Sequence, residues 1–246
     1  MSGMIAPMSL MTYREARPWA KAIAKAVETK EMPPWDASEN QHGIFQNERT
    51  LTQEQIETIQ AWVEQGAKRG NPAAAPAPIE FAEGWSMGEP DLELAFPEPF
   101  FVEDEVEDLY HNITITLTEE QLGKEEWIQS LEFKPGSEVV HHIIAYAANE
   151  DAPEVDPSVD LENNEEFLRS RVMLGGLAPG TDPTDYPEGY GIALRPGSQL
   201  TFAMHYHKEA GPGTGKWDNS VMAFKFHDKP VQYPLNITNI AHGAFE

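Results

Sequence analysis

Four of the eight histidines in this chain fall in two tight groups: His141 and His142 are adjacent, and His205 and His207 flank Tyr206. Neutral imidazole is the commonest nitrogen ligand for zinc, copper, iron and nickel. Two such pairs on separate strands can meet and enclose one ion with three or four nitrogens. The chain has no cysteine, so thiolate sites, disulfides and covalent c-type haem are excluded. A nitrogen-only donor set favours copper or zinc over iron, magnesium or calcium. The competing reading is that the histidines are hydrogen-bonded core or edge residues. Against it, "EVVHHIIAYAAN" (138–149) sets both imidazoles among aliphatics that offer few partners for ring nitrogens.

The elements that must carry these residues read as strands. Val139, Val140, Ile143, Ile144 and Tyr146 are β-branched or aromatic. In a regular strand neighbouring side chains diverge, so His141 and His142 are expected on opposite faces. His205 and His207 should share one face of "LTFAMHYH", with Met204 and Tyr206 on the other. Short alternating runs at 91–96, 110–117, 127–134, 138–147, 190–194, 199–206 and 220–227 predict an antiparallel sandwich or barrel. The acidic segment at 149–170 is too polar for a core and reads as a surface excursion.

Residues 1–72 read instead as helical. Thr12 with Glu15, and Thr52 with Gln55, make capping boxes, and Gly66 is placed to stop the second helix. Ala16, Trp19, Ala20, Ile23 and Val27 form the apolar face of the first helix, while Ile56, Ile59, Trp62 and Val63 form that of the second. Pro18 is expected to shift or kink the first helix. "NPAAAPAPIE" (71–80) is a Pro/Ala linker. The domain organisation read here is a helical segment at 1–72, a linker at 73–80 and a β-domain at 81–246.

Net charge is −24, from 41 acidic and 17 basic residues. Without a basic patch, nucleic-acid and anionic-membrane partners are disfavoured. No stretch is long and apolar enough to span a membrane, and "MSGMIAPMSLMTY" has no signal-peptide pattern. "GPGTGK" (211–216) lacks the full phosphate-loop pattern and reads as a hairpin turn. Ser137, Ser198 and Ser220 lie outside any nucleophile elbow. Asn112 and Asn236 head Asn-Ile-Thr triplets, which read as ordinary strand residues.

Two stretches resemble a known family. "EFKPGSEVVHHIIAY" (132–146) is similar to the paired-histidine HHxxxF/Y segment in the N-terminal domain of copper type II, ascorbate-dependent monooxygenases. "YPEGYGIALRPGSQLTFAMHYH" (186–207) resembles the later segment of that domain, where a glycine-rich hairpin leads into a strand with an HY pair. That family includes the peptidylglycine α-hydroxylating and dopamine β-monooxygenases. Bacterial relatives that place a cytochrome-c-like module first are closer still, and the likeness runs from Phe81 to Glu246. Residues 1–72 look like the latter part of that module, with Met32 of "MPPW" at the axial-methionine position. The haem motif CxxCH is absent, so no haem is expected and Met32 reads as a packing residue.

The resemblance implies a jelly-roll-like β-sandwich with a type 2 copper on His141, His142 and His205, exchanging electrons. A bulge or local twist would let the adjacent imidazoles share the ion. Tyr146, Met204 and Tyr206 would pack behind the ligands and fix their rings. His207 has no counterpart in the animal HY motif and stands open between a fourth ligand, a supporting residue and an exposed neighbour. A reading of His205 and His207 as the HxH pair of the oxygen-activating copper fits the flanking residues less well. The family's second copper domain would begin about where "NITNIAHGAFE" ends, so a second copper centre is expected from another domain, a partner protein or a dimer mate. A small-molecule reductant, a substrate and a periplasmic or secreted location are further implications. Two alternatives stay open: a non-catalytic copper- or zinc-binding electron carrier, and an acidic interaction domain.

Overall fold

Both threonine caps form as their spacing predicts in the computed structural model, which describes residues 8–35, 37–45, 48–75, 77, 84–159, 161, 164–178 and 181–235. Thr12 accepts from the Glu15 N–H and opens α1 (Tyr13–Ala16). Pro18 removes one backbone donor, and Arg17–Trp19 tighten into a 3₁₀ turn before α2 (Ala20–Glu28). Thr52 and Gln55 complete a reciprocal box at the start of α3 (Gln53–Glu64). Gly66, at φ +88, ends that helix, where its own N–H and that of Ala67 bond back to Val63 and Trp62 carbonyls. Ala20, Val27 and Ile56 are the buried residues of α2 and α3. Met32 is 52% exposed, which corrects its reading as a packing residue. It follows the positive-φ residue Lys30, which turns the chain off the end of α2.

Contacts divide the chain into two units, Met1–Glu80 and Phe81–Glu246. The second is mainly β. Its strands are β1 (Leu92–Ala95), β2 (Phe100–Val102), β3 (Asp108–Thr116), β4 (Glu126–Lys134), β5 (Val140–Ala148), β6 (Val172–Leu177), β7 (Thr184–Asp185), β8 (Tyr190–Gly191), β9 (Ala193–Leu194), β10 (Gln199–His207), β11 (Lys216–Asp218), β12 (Val221–Phe226) and β13 (Tyr233–Pro234). One sheet runs β1-β12-β4-β7, with β9 also on β4, and the other runs β3-β10-β5-β6. Every pairing in these two sheets is antiparallel. Leu131, Phe133, Met222 and Phe224 from the first sheet meet Ile143, Ala145, Leu200, Phe202, Met204 and Tyr206 from the second in one core. The result is the antiparallel β-sandwich, with a small helical segment before it, that the alternation predicts.

The central strand β10 is covered on both faces. On the outer side, the acidic segment folds back over the sheet. Leu161 and Phe167 from this segment bury against Tyr146 and Ala203, with the Tyr146 and Phe167 rings edge to face at 4.9 Å. Asn112 anchors the segment, its amide donating to the Asp156 and Val159 carbonyls while its backbone N–H bonds Pro157. The expected surface excursion is therefore a cover with its own small core. Sparse apolar residues suffice because Tyr146 and Ala203 already offer an apolar floor. This cover contains a short helix, α4 (Glu165–Ser170), capped by Asn164.

β6 carries two glycines that strand propensity disfavours, and packing explains them. A Cβ on Gly175 would run into Thr184 Oγ1, and one on Gly176 would lie 2.9 Å from the Ile143 carbonyl. The "GPGTGK" turn cradles an anion from within the chain: the N–H groups of Gly213 and Gly215 donate to the Asp104 carboxylate. Asn236 lies outside the described residues.

A buried knot fixes the turn that leads into β5. Asp218, 1% exposed, accepts from the Tyr206 hydroxyl at 2.9 Å and from Ser220 Oγ at 3.0 Å. Gly136, in the β4–β5 turn, donates its N–H to Ser220 Oγ. Burial raises the carboxyl of Asp218 above its ordinary 3.8, against the pull of these bonds.

His111, on the core side of β3, stacks on Phe100 at 3.8 Å between ring centres. Burial holds its imidazole below the ordinary 6.5. The folded chain then binds a proton at this site less readily than the unfolded chain does. Stability from this residue is present above pH 6.5 and is lost as pH falls from there through the depressed native value. His111→Phe should flatten the decline in melting temperature below pH 6.5. An unchanged slope would contradict this assignment.

Candidate metal centre

A bulge resolves the problem of two adjacent imidazoles. On the β5–β10 ladder His205 pairs with His142, but Tyr206 pairs with Val140, so His141 is the extra residue of β5. Two residues on one strand thus oppose one on the other, and the extra residue re-aims its side chain. His141 and His142 turn to the same outer face as His205. The Nδ1 atoms of His141 and His142 lie 3.1 Å apart, and those of His142 and His205 lie 3.4 Å apart. One ligand nitrogen from each of the three fits within 4.8 Å of the others. Nitrogens bonded to one ion at about 2.0–2.1 Å, at angles of roughly 90–120°, would themselves be about 2.9–3.5 Å apart. The two Nδ1 separations fall in that range.

The ring environment also suits a ligand role. Asp108, the first residue of β3, accepts from His205 Nε2 at 3.0 Å and from His207 Nδ1 at 3.1 Å. An ionised carboxylate only accepts, so in neutral His205 the proton is on Nε2 and the Nδ1 lone pair faces His142. Tyr110 pairs with His205 across the ladder and stacks on its ring at 4.4 Å, within 2° of parallel. His205 is 9% exposed, while His141 and His142 are more open. Burial first, then the imidazoles of His205, His142 and His207, hold His141 below the ordinary 6.5 and favour its neutral, ligand-competent form. Hydrogen bonds from His207 and His205 keep the Asp108 carboxyl below its ordinary 3.8.

His207 lies outside the three-histidine group. Its ring centre is 6.1 Å from that of His141 and its Nδ1 is turned to Asp108. The three residues expected to back the rings take two different places. Met204 and Tyr206 point into the sandwich core, on the opposite face of the sheet, because they alternate with His205 along β10. Tyr146 shares the outer face with His142 but packs on Phe167 under the cover. Among the described residues, Asp108 and Tyr110 both touch the ring of His205. Their spacing in "EDLYHN" marks one strand face, but only the register with β10 brings them to His205.

No family model matches this chain, and no characterised protein was found to match it.

Proposed function

We propose that the β-sandwich is a copper-binding oxidoreductase domain that holds one ion at His141, His142 and His205. The observation behind this reading is the bulge that turns two adjacent imidazoles toward a third on the neighbouring strand. The donor set fits: three neutral imidazoles accept Cu(II) readily, hold Cu(I) at low coordination number, and leave a further position open. When bound, copper would supply one-electron chemistry. The chain's own contribution is to hold three nitrogens together, with the ring of His205 gripped by Tyr110 and Asp108.

The likeness of 132–146 and 186–207 to ascorbate-dependent monooxygenases supports the further proposal that this is the electron-exchanging half of a hydroxylating system. In that reading dioxygen and substrate meet a second copper centre supplied by another domain or a partner, a small molecule supplies the electrons, and the protein works in the periplasm or outside the cell. Among the described residues no helix is long and apolar enough to cross a membrane.

Cu(II) added to the metal-free chain should give a type 2 paramagnetic resonance spectrum with nitrogen hyperfine structure. Ascorbate should bleach that spectrum, and oxygen should restore it. His207→Ala should keep the same nitrogen pattern. Stoichiometric zinc uptake with a copper form that ascorbate cannot reduce would replace the oxidoreductase reading with a non-catalytic metal module. An unchanged spectrum in His141→Ala would remove the site.

A further inference from the structure

We propose that Asp108 is the positioning residue of the imidazole cluster: it fixes the tautomer and in-plane orientation of His205, and His207 serves to steady Asp108. For metal affinity this inference rests on the reading above, while for the tautomer it stands without it.

His205 needs two restraints to present Nδ1 to His142. Rotation out of the ring plane is blocked by Tyr110, stacked at 4.4 Å and nearly parallel. Rotation within the plane, and the choice of which nitrogen is protonated, are decided by what faces Nε2. That group is Asp108 Oδ1, at 3.0 Å. A carboxylate there binds the Nε2–H form and leaves the opposite nitrogen bare. Its position follows from register: Asp108 sits opposite His207 on the β3–β10 ladder, and Tyr110 sits opposite His205. All four residues therefore share the outer face.

The second bond to Asp108 explains His207. The Asp108 side chain is 57% exposed and lies at the start of its strand, so one hydrogen bond would leave it free to swing into water. His207 Nδ1 donates to the same Oδ1 at 3.1 Å and pins it from the solvent side. His207 thus acts through Asp108. Partners that orient a metal-bound histidine typically change metal affinity 10–100-fold when removed, and loss of Asp108 is expected to weaken Cu(II) and Zn(II) binding by about that factor.

The experiment uses the full chain, labelled with ¹⁵N-histidine, as wild type, Asp108→Ala, Asp108→Asn and His207→Ala. Long-range proton–nitrogen correlation on the metal-free proteins reads the tautomer of each ring. Chelator competition with Cu(II) and with Zn(II) reads affinity, and near-UV circular dichroism checks the fold. His205 should be protonated at Nε2 in the wild type and lose that preference in Asp108→Ala, together with the drop in affinity. Asp108→Asn, which keeps the shape and one acceptor, should lose less of both and serves as the test if the alanine variant does not fold. His207→Ala should fall between Asp108→Asn and wild type. A wild-type His205 protonated at Nδ1, or a folded Asp108→Ala with wild-type tautomer and affinity, would overturn the proposal. A wild type that binds neither metal, yet shows the Nε2–H form abolished in Asp108→Ala, would refute the metal reading and uphold the positioning role.

Discussion

His142→Ala is expected to lower Cu(II) affinity by more than about 100-fold, beyond the range typical for losing an outer partner of a ligand. The reason is its place in the cluster. His142 Nδ1 is 3.1 Å from that of His141 and 3.4 Å from that of His205, so it is the nitrogen both others approach. Without it the remaining pair offers two ligands, and the ion must complete its shell with water. The fold should tolerate the change, since His142 lies on the outer face and is only half-buried. Chelator competition gives the affinity and thermal melting gives the fold control. Wild-type affinity in a folded His142→Ala protein would contradict the convergence on which the site is built.

Gly136→Ala is the second large expected effect, and it acts through the fold. A Cβ at this position would lie 2.5 Å from the Asn219 nitrogen, 2.6 Å from its carbonyl carbon and 2.6 Å from Asp218 Oδ1. Two of these atoms are backbone and cannot turn away as a flexible side chain does. The turn must move, and with it the bond from Gly136 N–H to Ser220 Oγ and the knot around Asp218. Overpacking of this kind and a lost buried hydrogen bond together cost about 3 kcal/mol. For a unit of this size that is a fall of roughly 6–12 °C in melting temperature. Metal affinity should fall too, because the same turn enters β5 just before the bulge. Gly123→Ala is the control: its nearest neighbour to a Cβ is 4.0 Å away, so stability should hardly change. A Gly136→Ala protein that melts with the wild type would show that the turn yields without strain.

The parts of this protein that were legible in its sequence are those set by local rules. Thr52 with Gln55 marks a helix start because the reciprocal hydrogen bonds span only three residues. Leu200, Phe202, Met204 and Tyr206 mark a strand face because alternation is a property of one strand. What depends on a neighbouring strand was not legible in the same way. Regular strand geometry makes His141 and His142 diverge, and a shared ion requires a bulge or twist; the bulge itself and the residue it adds are defined only by the ladder pairing of Tyr206 with Val140. Asp108 and Tyr110 were missed for the same reason. They sit in an acidic run that looks like solvated surface, and only their register with β10 brings them to the ring of His205.

Burial misled in two places. The resemblance implies Met204 and Tyr206 behind the ligand rings, but the alternation that puts them on the face opposite His205 gives both to the core. The acidic 149–170 segment looked too polar to pack. Its few apolar side chains, Val155, Val159, Leu161, Phe167 and Leu168, gather into one small core with Tyr146 and Ala203. β6 was hidden by its glycines, whose role is to let Thr184 and the β5 backbone come close.

X-ray absorption on the copper-loaded full chain is the most direct test of the central claim. One ion per chain with three imidazole nitrogens at about 2.0 Å is expected, falling to two in each of His141→Ala, His142→Ala and His205→Ala, and staying at three in His207→Ala. Copper that binds substoichiometrically, or whose imidazole shell is the same in all four variants, would contradict it.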